Sequence, residues 1–430
     1  MHVAVLGAGV VGVTTAHFLA EAGHDVTVVE KATGVAEACS HANGAQLSYS
    51  YTDAMASPSF LLRMPGLLAG NDAAIRVRPP LDRDLLQWGL AFLAQCSRSK
   101  AAANMLANLE LASRSAQLLR ELRNLLPSDF HYREAGKLVL LRTARELDDA
   151  RRASDIKAEL GIRASVITIA EAADIEPAIA YMNGPYAGAV YSPGDDVGDA
   201  REFAALVAER LDHKGHTRFQ FETEVLGFVR ESNAIRGVKT SHGDLEADAT
   251  VVCLGAWSPG LLKDVGVTAP INPARGYSVT LPPGSRMPSA SVTDFGRRFV
   301  ISRLGEKVRI AGFADFVGFS TVKDEARIEQ LMAIARNTAP EAADYACPEI
   351  NPWGGNRPLT PDGRPLVGPT HLDGLFLNTG HGSLGWTLAC ATAEQLTSAV
   401  SGEASSNQPR RTQYPSASPF PAETSSSRPG

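Results

Sequence analysis

The chain has 430 residues, enough for two domains of ordinary size with real cores. Hydrophobic residues make up 44% and charged residues 20%, and the net charge of −6 comes without a basic cluster, so nucleic acid is not an expected partner. Cys39, Cys96, Cys253, Cys347 and Cys390 are scattered with no C-x-x-C pair, which suits reduced thiols in the cytosol better than disulfides or a zinc site. No apolar run approaches the length of a membrane span.

Met1 to Leu6 reads as a short buried strand, so a cleaved signal peptide is not expected there. Gly7-Ala8-Gly9-Val10-Val11-Gly12 follows at once, then an apolar-periodic helix from Val13 to Ala22, with Gly23-His24 as its stop. Asp25 to Val29 is a second strand, and it ends in Glu30. In a strand–turn–helix of this kind each glycine has a task. Gly7 makes the tight turn, Gly9 lets backbone amides approach a pyrophosphate, and Gly12 lets the helix pack on the strand. The helix N-terminus offers unpaired N–H groups and a partial positive charge. Glu30 can accept hydrogen bonds from a ribose 2′-hydroxyl and would repel a 2′-phosphate, which speaks for an adenine dinucleotide and against NADP. The motif alone leaves FAD and NAD open.

Residues 34–48 form a polar loop where a dinucleotide would extend away from its adenosine half. Residues 84–126 carry leucines at helical spacing, Gly136 to Leu141 reads as a buried strand, and Arg145 to Leu160 as a charged helix. A helix from Phe203 to Leu211 leads into a strand from Arg218 to Val225. Asn233 to Val238 and Gly243 to Ala249 look like a hairpin, and Thr250 to Ala256 is an apolar strand ending in Gly-Ala. Such a meander interrupts the parallel sheet of FAD domains, whereas an NAD domain would continue with βα repeats. Residues 273–315 are strand-rich, Asp324 to Ile334 is helical, and Gly374 to Ala389 reads as strand, Gly-rich turn and helix. From about Ser401 the composition is that of a disordered tail.

These pieces together resemble the FAD-dependent D-amino-acid dehydrogenases of the small, catalytic-subunit type, within the amino-acid-oxidase and glycine-oxidase superfamily. The resemblance runs from Met1 to about Gly402. It is carried by Val5 to Val13, Ala42-Asn43-Gly44-Ala45-Gln46, Gly198-Asp199, Arg275-Gly276-Tyr277-Ser278, Arg357 to Gly363 and Asn378 to Thr387. His41, the arrangement of Asn43-Gly44-Ala45, and Asn356 depart from the dehydrogenase pattern. The resemblance implies an α/β (α+β) fold, a Rossmann-like FAD domain interleaved with an antiparallel-sheet substrate domain. Residues 1–52, 193–267 and 350–400 would form the former, 53–192 and 268–349 the latter, and 401–430 the tail.

It implies FAD as cofactor and oxidation of an amino acid to its imine, with electrons passed to a quinone or another carrier. Such a chain would be cytoplasmic or peripheral on the inner face of the membrane. D-Hydroxyproline, glycine or sarcosine chemistry, an oxidase, and a non-catalytic flavoprotein subunit are the alternative expectations. The expected cofactor residues are Gly7, Ala8, Gly9, Val10, Val11, Gly12, Glu30 and Lys31, with Ser40, Ala42, Asn43, Gly44, Ala45 and Gln46 of the early loop. Val225 would meet the adenine, and Gly255-Ala256 would pass near the pyrophosphate. Gly380, Gly382, Ser383, Leu384, Gly385, Trp386 and Thr387 would face the flavin ring.

Arg357 is the expected grip on the substrate carboxylate, since a planar guanidinium gives two parallel hydrogen bonds; pairing with Asp362 is the structural alternative. Tyr277 is a candidate for the substrate pocket or for the core, and Tyr49 and Tyr51 are weaker candidates of the same kind. His381 would bond the flavin or cap its turn. In some sarcosine- and dimethylglycine-type relatives a His in a loop like that of His41 carries the flavin covalently; an ordinary hydrogen-bonding His is the other reading. Asp195, Asp196 and Asp199 read as a solvated turn, and no metal is expected.

Overall fold

The computed structural model describes residues 1–53, 55–70, 72–77, 83–319 and 324–402. Of the expected tail, 401–430, residues 403–430 lie outside the described residues.

Val3, Ala4, Val5 and Leu6 form a continuous apolar run, and such a run is stable only where both strand faces are covered. Val3 and Val5 point into one core, Ala4 and Leu6 into another. His2–Leu6 lies inside a six-stranded sheet in the order Leu366–Pro369, Leu375–Thr379, Ala249–Val252, His2–Leu6, Asp25–Val29 and Thr217–Gln220. All neighbours are parallel except the first pair. The first core is closed by the helices Val10–Glu21, Arg98–Arg123, Ala200–Lys214 and Gly385–Val400, through Leu19, Leu119, Phe203 and Leu388. Each such side chain removed from water contributes about 1.5–3 kcal/mol. The opposite face is covered by an antiparallel meander, Val225–Glu231, Ala234–Thr240 and Gly243–Glu246, through Phe228, Ile235 and Val238.

The second large sheet has eight strands, in the order Asn351–Leu359, Asn272–Leu281, Lys307–Asp315, Phe299–Leu304, Ser291–Asp294, Lys137–Leu141, Gly188–Ser192 and Ser165–Ile167. It is antiparallel except where Ser291–Asp294 runs parallel to Lys137–Leu141. The helix Glu325–Thr338 packs Leu331 and Ala335 on its Val279, Ile301 and Ile310. A two-stranded ribbon pairs Gln46–Leu47 with Asp196–Val197.

Several elements differ from expectation. The strand Asn351–Leu359, assigned by sequence to the 350–400 part of the FAD domain, is an edge of the eight-stranded sheet. The run expected as one strand from Arg218 to Val225 breaks after Gln220, with Glu222 at φ 53°, and restarts in the meander. Helix Pro58–Leu68 was hidden by Pro65, which sits inside it. Asp195, Asp196 and Asp199 are buried rather than solvated. Asp199 caps the following helix by accepting from the Arg201 and Glu202 amides and meets Arg309 at 3.3 Å. Asp196 accepts from the Tyr132 hydroxyl at 2.6 Å, and Asp195 from the Ser50 amide at 2.8 Å. Protein donors reach each of these carboxylates, although Asp195 Oδ2 is buried without a hydrogen-bond partner among the described residues.

Candidate active site

A cavity of ≈ 750 Å³ runs from the first Gly-rich turn, between the two large sheets, to the eight-stranded roof. At its start, Gly7 holds φ +98°, a conformation only glycine takes without strain. A Cβ on Gly12 would fall onto the Gly7 carbonyl, so helix and strand touch backbone to backbone. At Gly9 the Cβ position meets only Ser40 Oγ, at 3.6 Å, and the turn stays open to the cavity. Ser40 Oγ accepts from the Val10 amide at 3.1 Å. The Glu30 carboxylate accepts from the Ala8 amide at 2.7 Å and the Ala32 amide at 2.9 Å, which fixes it at the mouth of the strand. Lys31 Nζ lies 5.0 Å from the Trp257 ring centroid, where Gly255 and Ala256 also reach the wall.

The early loop is held by its carbonyls. Ala42 O accepts from Ser278 Oγ at 2.6 Å, Asn43 O from Arg309 Nη1 at 3.1 Å, and Gly44 O from Ser302 Oγ at 2.9 Å. Three neighbouring strands of the roof thus pin three successive peptide groups, while Asn43, Gly44 and Gln46 line the cavity. On the far wall the helix Gly385–Val400 begins without a side-chain cap. Its first-turn residues Gly385, Trp386 and Thr387, with Gly382, Ser383 and Leu384, line the cavity. An uncapped helix N-terminus favours negative charge. The Trp386 indole points away, donating to Gly198 O at 3.2 Å and packing on Phe203. His381 bonds Thr392 Oγ1 at 3.0 Å, and burial drives its pKa down to about 3, so it ties turn to helix as a neutral ring.

Arg357 stands at the roof end. Its guanidinium rests on Gly276, where a Cβ would come within 2.5 Å of Cζ, and it donates to Phe313 O at 2.6 Å. Among the described residues it has no carboxylate partner, and Asp362 instead accepts from the Arg364 amide. What surface it exposes faces the cavity, and burial lowers its pKa. A guanidinium nonetheless stays charged in proteins. A desolvated cation with no carboxylate in contact, and only Cys39 and Asp315 acting on it from a distance, is costly, so the wall presents an anion receptor. The Tyr277 hydroxyl donates to Asp315 at 3.1 Å, and burial beside that carboxylate pushes its pKa up to about 12. Asp315, fully buried, also takes Arg327 and Arg76. Tyr277 therefore lines the cavity as part of a fixed network.

Twenty-three of the expected site residues line the cavity, Tyr51 and His381 among them. Ala8, Gly12, Ala42, Ala45, Gly380 and Tyr49 do not: Ala8 and Ala42 act through their backbone bonds, Ala45 and Tyr49 are core, Gly12 meets the Gly7 backbone, and Gly380 turns against the Thr360 and Ile271 side chains. His41 stacks on Trp353 at 4.1 Å, off the cavity wall. Sequence reasoning missed Cys39, Ser48, Lys137, Phe313, Ser302 and Arg309. The last two carried a signal, as polar positions inside strands otherwise apolar.

A model of FAD dependent oxidoreductases, the DAO family, matches residues 2–399. The chain belongs to this family. FAD is its cofactor, and the site fits it: a Gly-rich cradle, a fixed Glu30 for the ribose, and one continuous cavity to an uncapped helix N-terminus. This FAD dependent oxidoreductase is 39% identical over 413 residues to D-amino acid dehydrogenase 2 of Ralstonia nicotianae, covering 94% of this chain and 97% of that one. It is 38% identical over 408 residues to D-amino acid dehydrogenase of Paramagnetospirillum magneticum, covering 94% and 96%. Among solved structures, glycine oxidase from Geobacillus kaustophilus superposes with a TM-score of 0.72 at 23% identity, covering 94% and 96%. Glycine oxidase from Bacillus cereus gives 0.70 at 24%, covering 93% and 95%. At those identities the structures speak for the fold.

Proposed function

We propose that this protein oxidises D-amino acids to imino acids, which water then converts to 2-oxo acids and ammonia. The observation that carries the reading is Arg357, a cation at the cavity wall with no carboxylate of its own among the described residues. A substrate carboxylate supplies the missing partner through two parallel hydrogen bonds. The names of the relatives at 38–39% identity over nearly their full lengths support the D-configuration.

FAD, when bound, accepts the hydride from the substrate Cα. The protein's part is positioning and electrostatics. Arg357 fixes the carboxylate, and Gly276 leaves the room in which its guanidinium lies flat. Tyr277, held by Asp315, and Phe313 shape the surrounding wall. The amine must be unprotonated for its electron pair to assist hydride departure, and the buried wall disfavours a second cation beside Arg357. The uncapped N-terminus of Gly385–Val400 would favour negative charge that builds up in the cavity, and the pinned loop keeps the facing wall in place.

In this reading residues 1–52, 193–267 and 360–400 hold FAD, while 53–192 and 268–359 build the roof over the substrate. Electrons leave to a quinone or another carrier at the inner membrane face. Among the described residues no helix is long and apolar enough to cross a membrane, so contact with a membrane would be peripheral. The test is anaerobic bleaching of the bound flavin spectrum across paired D- and L-amino acids. Bleaching by D-isomers is expected; bleaching by L-isomers alone, or by carboxylate-free amines equally well, would overturn the reading.

A further inference from the structure

A further cation of the cavity wall stands against the early loop, close to the start of the last helix. Lys137 opens the strand Lys137–Leu141 and is 3% exposed. Its Nζ donates to Ser48 Oγ at 2.8 Å and Gln46 Oε1 at 3.2 Å and lies 4.3 Å from the Tyr51 ring centroid. Gln46, Ser48, Tyr51 and Lys137 all line the cavity. The Ser48 amide in turn donates to Thr387 Oγ1 at 3.0 Å, in the first turn of the last helix. Lys137 is thus two hydrogen bonds from that uncapped N-terminus, and two sources of positive potential converge on one wall.

Lys137 resembles Arg357 in what it lacks. The buried Lys157, Arg309 and Arg327 each meet a carboxylate, at 3.1, 3.3 and 2.5 Å. Among the described residues Lys137 touches only neutral acceptors and a ring face, and the carboxylates Asp195 and Asp53 act on it through space without an ion pair. An ammonium buried on such terms is costly. A cavity occupant that gains negative charge offsets that cost. Hydride transfer delivers two electrons and one proton to the flavin, so the ring takes on one negative charge unless a further proton follows.

We propose that Lys137 is the flavin's electrostatic partner, a fixed ammonium that stabilises the reduced ring and so raises its reduction potential. The inference rests on FAD in this cavity and not on any particular substrate. Burial lowers the Lys137 pKa to about 8, with Asp195 and Asp53 opposing that shift and Lys157 adding to it. The amine therefore remains mostly charged at pH 7.

The test compares wild-type holoenzyme with Lys137→Met, Lys137→Gln and Lys137→Arg by two measurements that need no amino acid. One is the two-electron midpoint potential; the other is the affinity for sulfite, which adds to the ring and leaves it negative. Both neutral variants should weaken sulfite binding about tenfold or more and lower the potential by about 30 mV, the tenfold equivalent for a two-electron couple. Lys137→Arg should recover to within about threefold. If either neutral variant retains FAD with both quantities within about twofold of wild type, the proposal is overturned. Loss of acidic D-amino acid turnover alone, with the potential unchanged, would likewise overturn it and make Lys137 a substrate-binding residue.

Thermodynamic reciprocity gives a check free of variants. If the ammonium favours reduction tenfold, reduction must raise the amine's pKa by about one unit. Lysine labelling of the wild type against pH, read by mass spectrometry at Lys137 in oxidised and dithionite-reduced protein, should show that displacement. Equal midpoints in the two states would contradict the proposal.

Discussion

Arg357 and Gly276 form one device. The guanidinium lies in the space left by the absent Cβ, and one hydrogen bond to Phe313 O sets its direction. Arg357→Ala should nearly abolish amino-acid oxidation with FAD still bound, since removing one partner of a desolvated charge pair costs about 2–5 kcal/mol. That is roughly thirty- to several-thousand-fold in kcat/KM. Arg357→Lys should rescue only in part, because an ammonium cannot give the bidentate geometry. The decarboxylated amine of the same substrate should lose little further in either variant; equal losses for acid and amine would make Arg357 structural. Gly276→Ala should behave like a mild Arg357 lesion. It should push the guanidinium off its seat, raise KM for the amino acid at least tenfold, and leave the flavin spectrum unchanged. Unaltered KM would show that the guanidinium has room to work elsewhere.

At the scale of elements, function depends on how closely two helices approach strands. The helix Val10–Glu21 meets the Gly7 carbonyl through Gly12 with no space for a methyl group. Gly12→Ala must therefore move the helix N-terminus away from the turn. Overpacking of this kind costs about 1–3 kcal/mol, and here it also misplaces the phosphate-binding amides. We expect purified Gly12→Ala protein to be largely free of FAD, with the apoprotein still folded by circular dichroism; stoichiometric FAD at normal affinity would refute this. The other helix, Gly385–Val400, is tied by Thr387 to Ser48 and by Thr392 to His381. It reaches both the early loop and the turn before it, so one rigid element sets the height of the wall.

For the whole molecule, histidines lowered by burial shape the response to acid, His17 and His381 most strongly, with His24 and His41 acting in the same direction. Burial lowers His17 to about 4 and His381 to about 3. Unfolded, each titrates near 6.5. Between those values the unfolded chain binds protons that the native protein does not, so stability falls as pH drops below about 6.5. His17 and His381 each contribute roughly 1.5 kcal/mol of this loss between pH 6.5 and 5. Asp196, raised to about 6 chiefly by burial, acts in the opposite sense over pH 4–6, so a difference between proteins is the safer readout. His381→Asn, which keeps a polar side chain near Thr392, should lose less stability from pH 7 to pH 5 than wild type in urea denaturation. Identical pH slopes would remove His381 from the account.

Much of this was legible in the chain because it is local. The strand–turn–helix at the N-terminus, Glu30 at the end of the second strand, and the Gly-rich turn before the last helix are specified by residues close in sequence. Their periods and glycine positions have only a few physical solutions. The resemblance that linked Arg357 to a carboxylate grip rested on the same kind of contiguous motif. Residues far apart in sequence were another matter. Lys137, Ser302 and Arg309 matter because strands distant in the chain lie side by side, and nothing within a few residues of Lys137 marks it as facing a cavity. Asp195, Asp196 and Asp199 read as a solvated turn because their partners Ser50, Tyr132 and Arg309 are supplied by the fold. The sequence by itself determined that the cradle suits an adenine dinucleotide. Which cations are left without a counter-ion was decided only by tertiary structure, because charge compensation depends on distance in space.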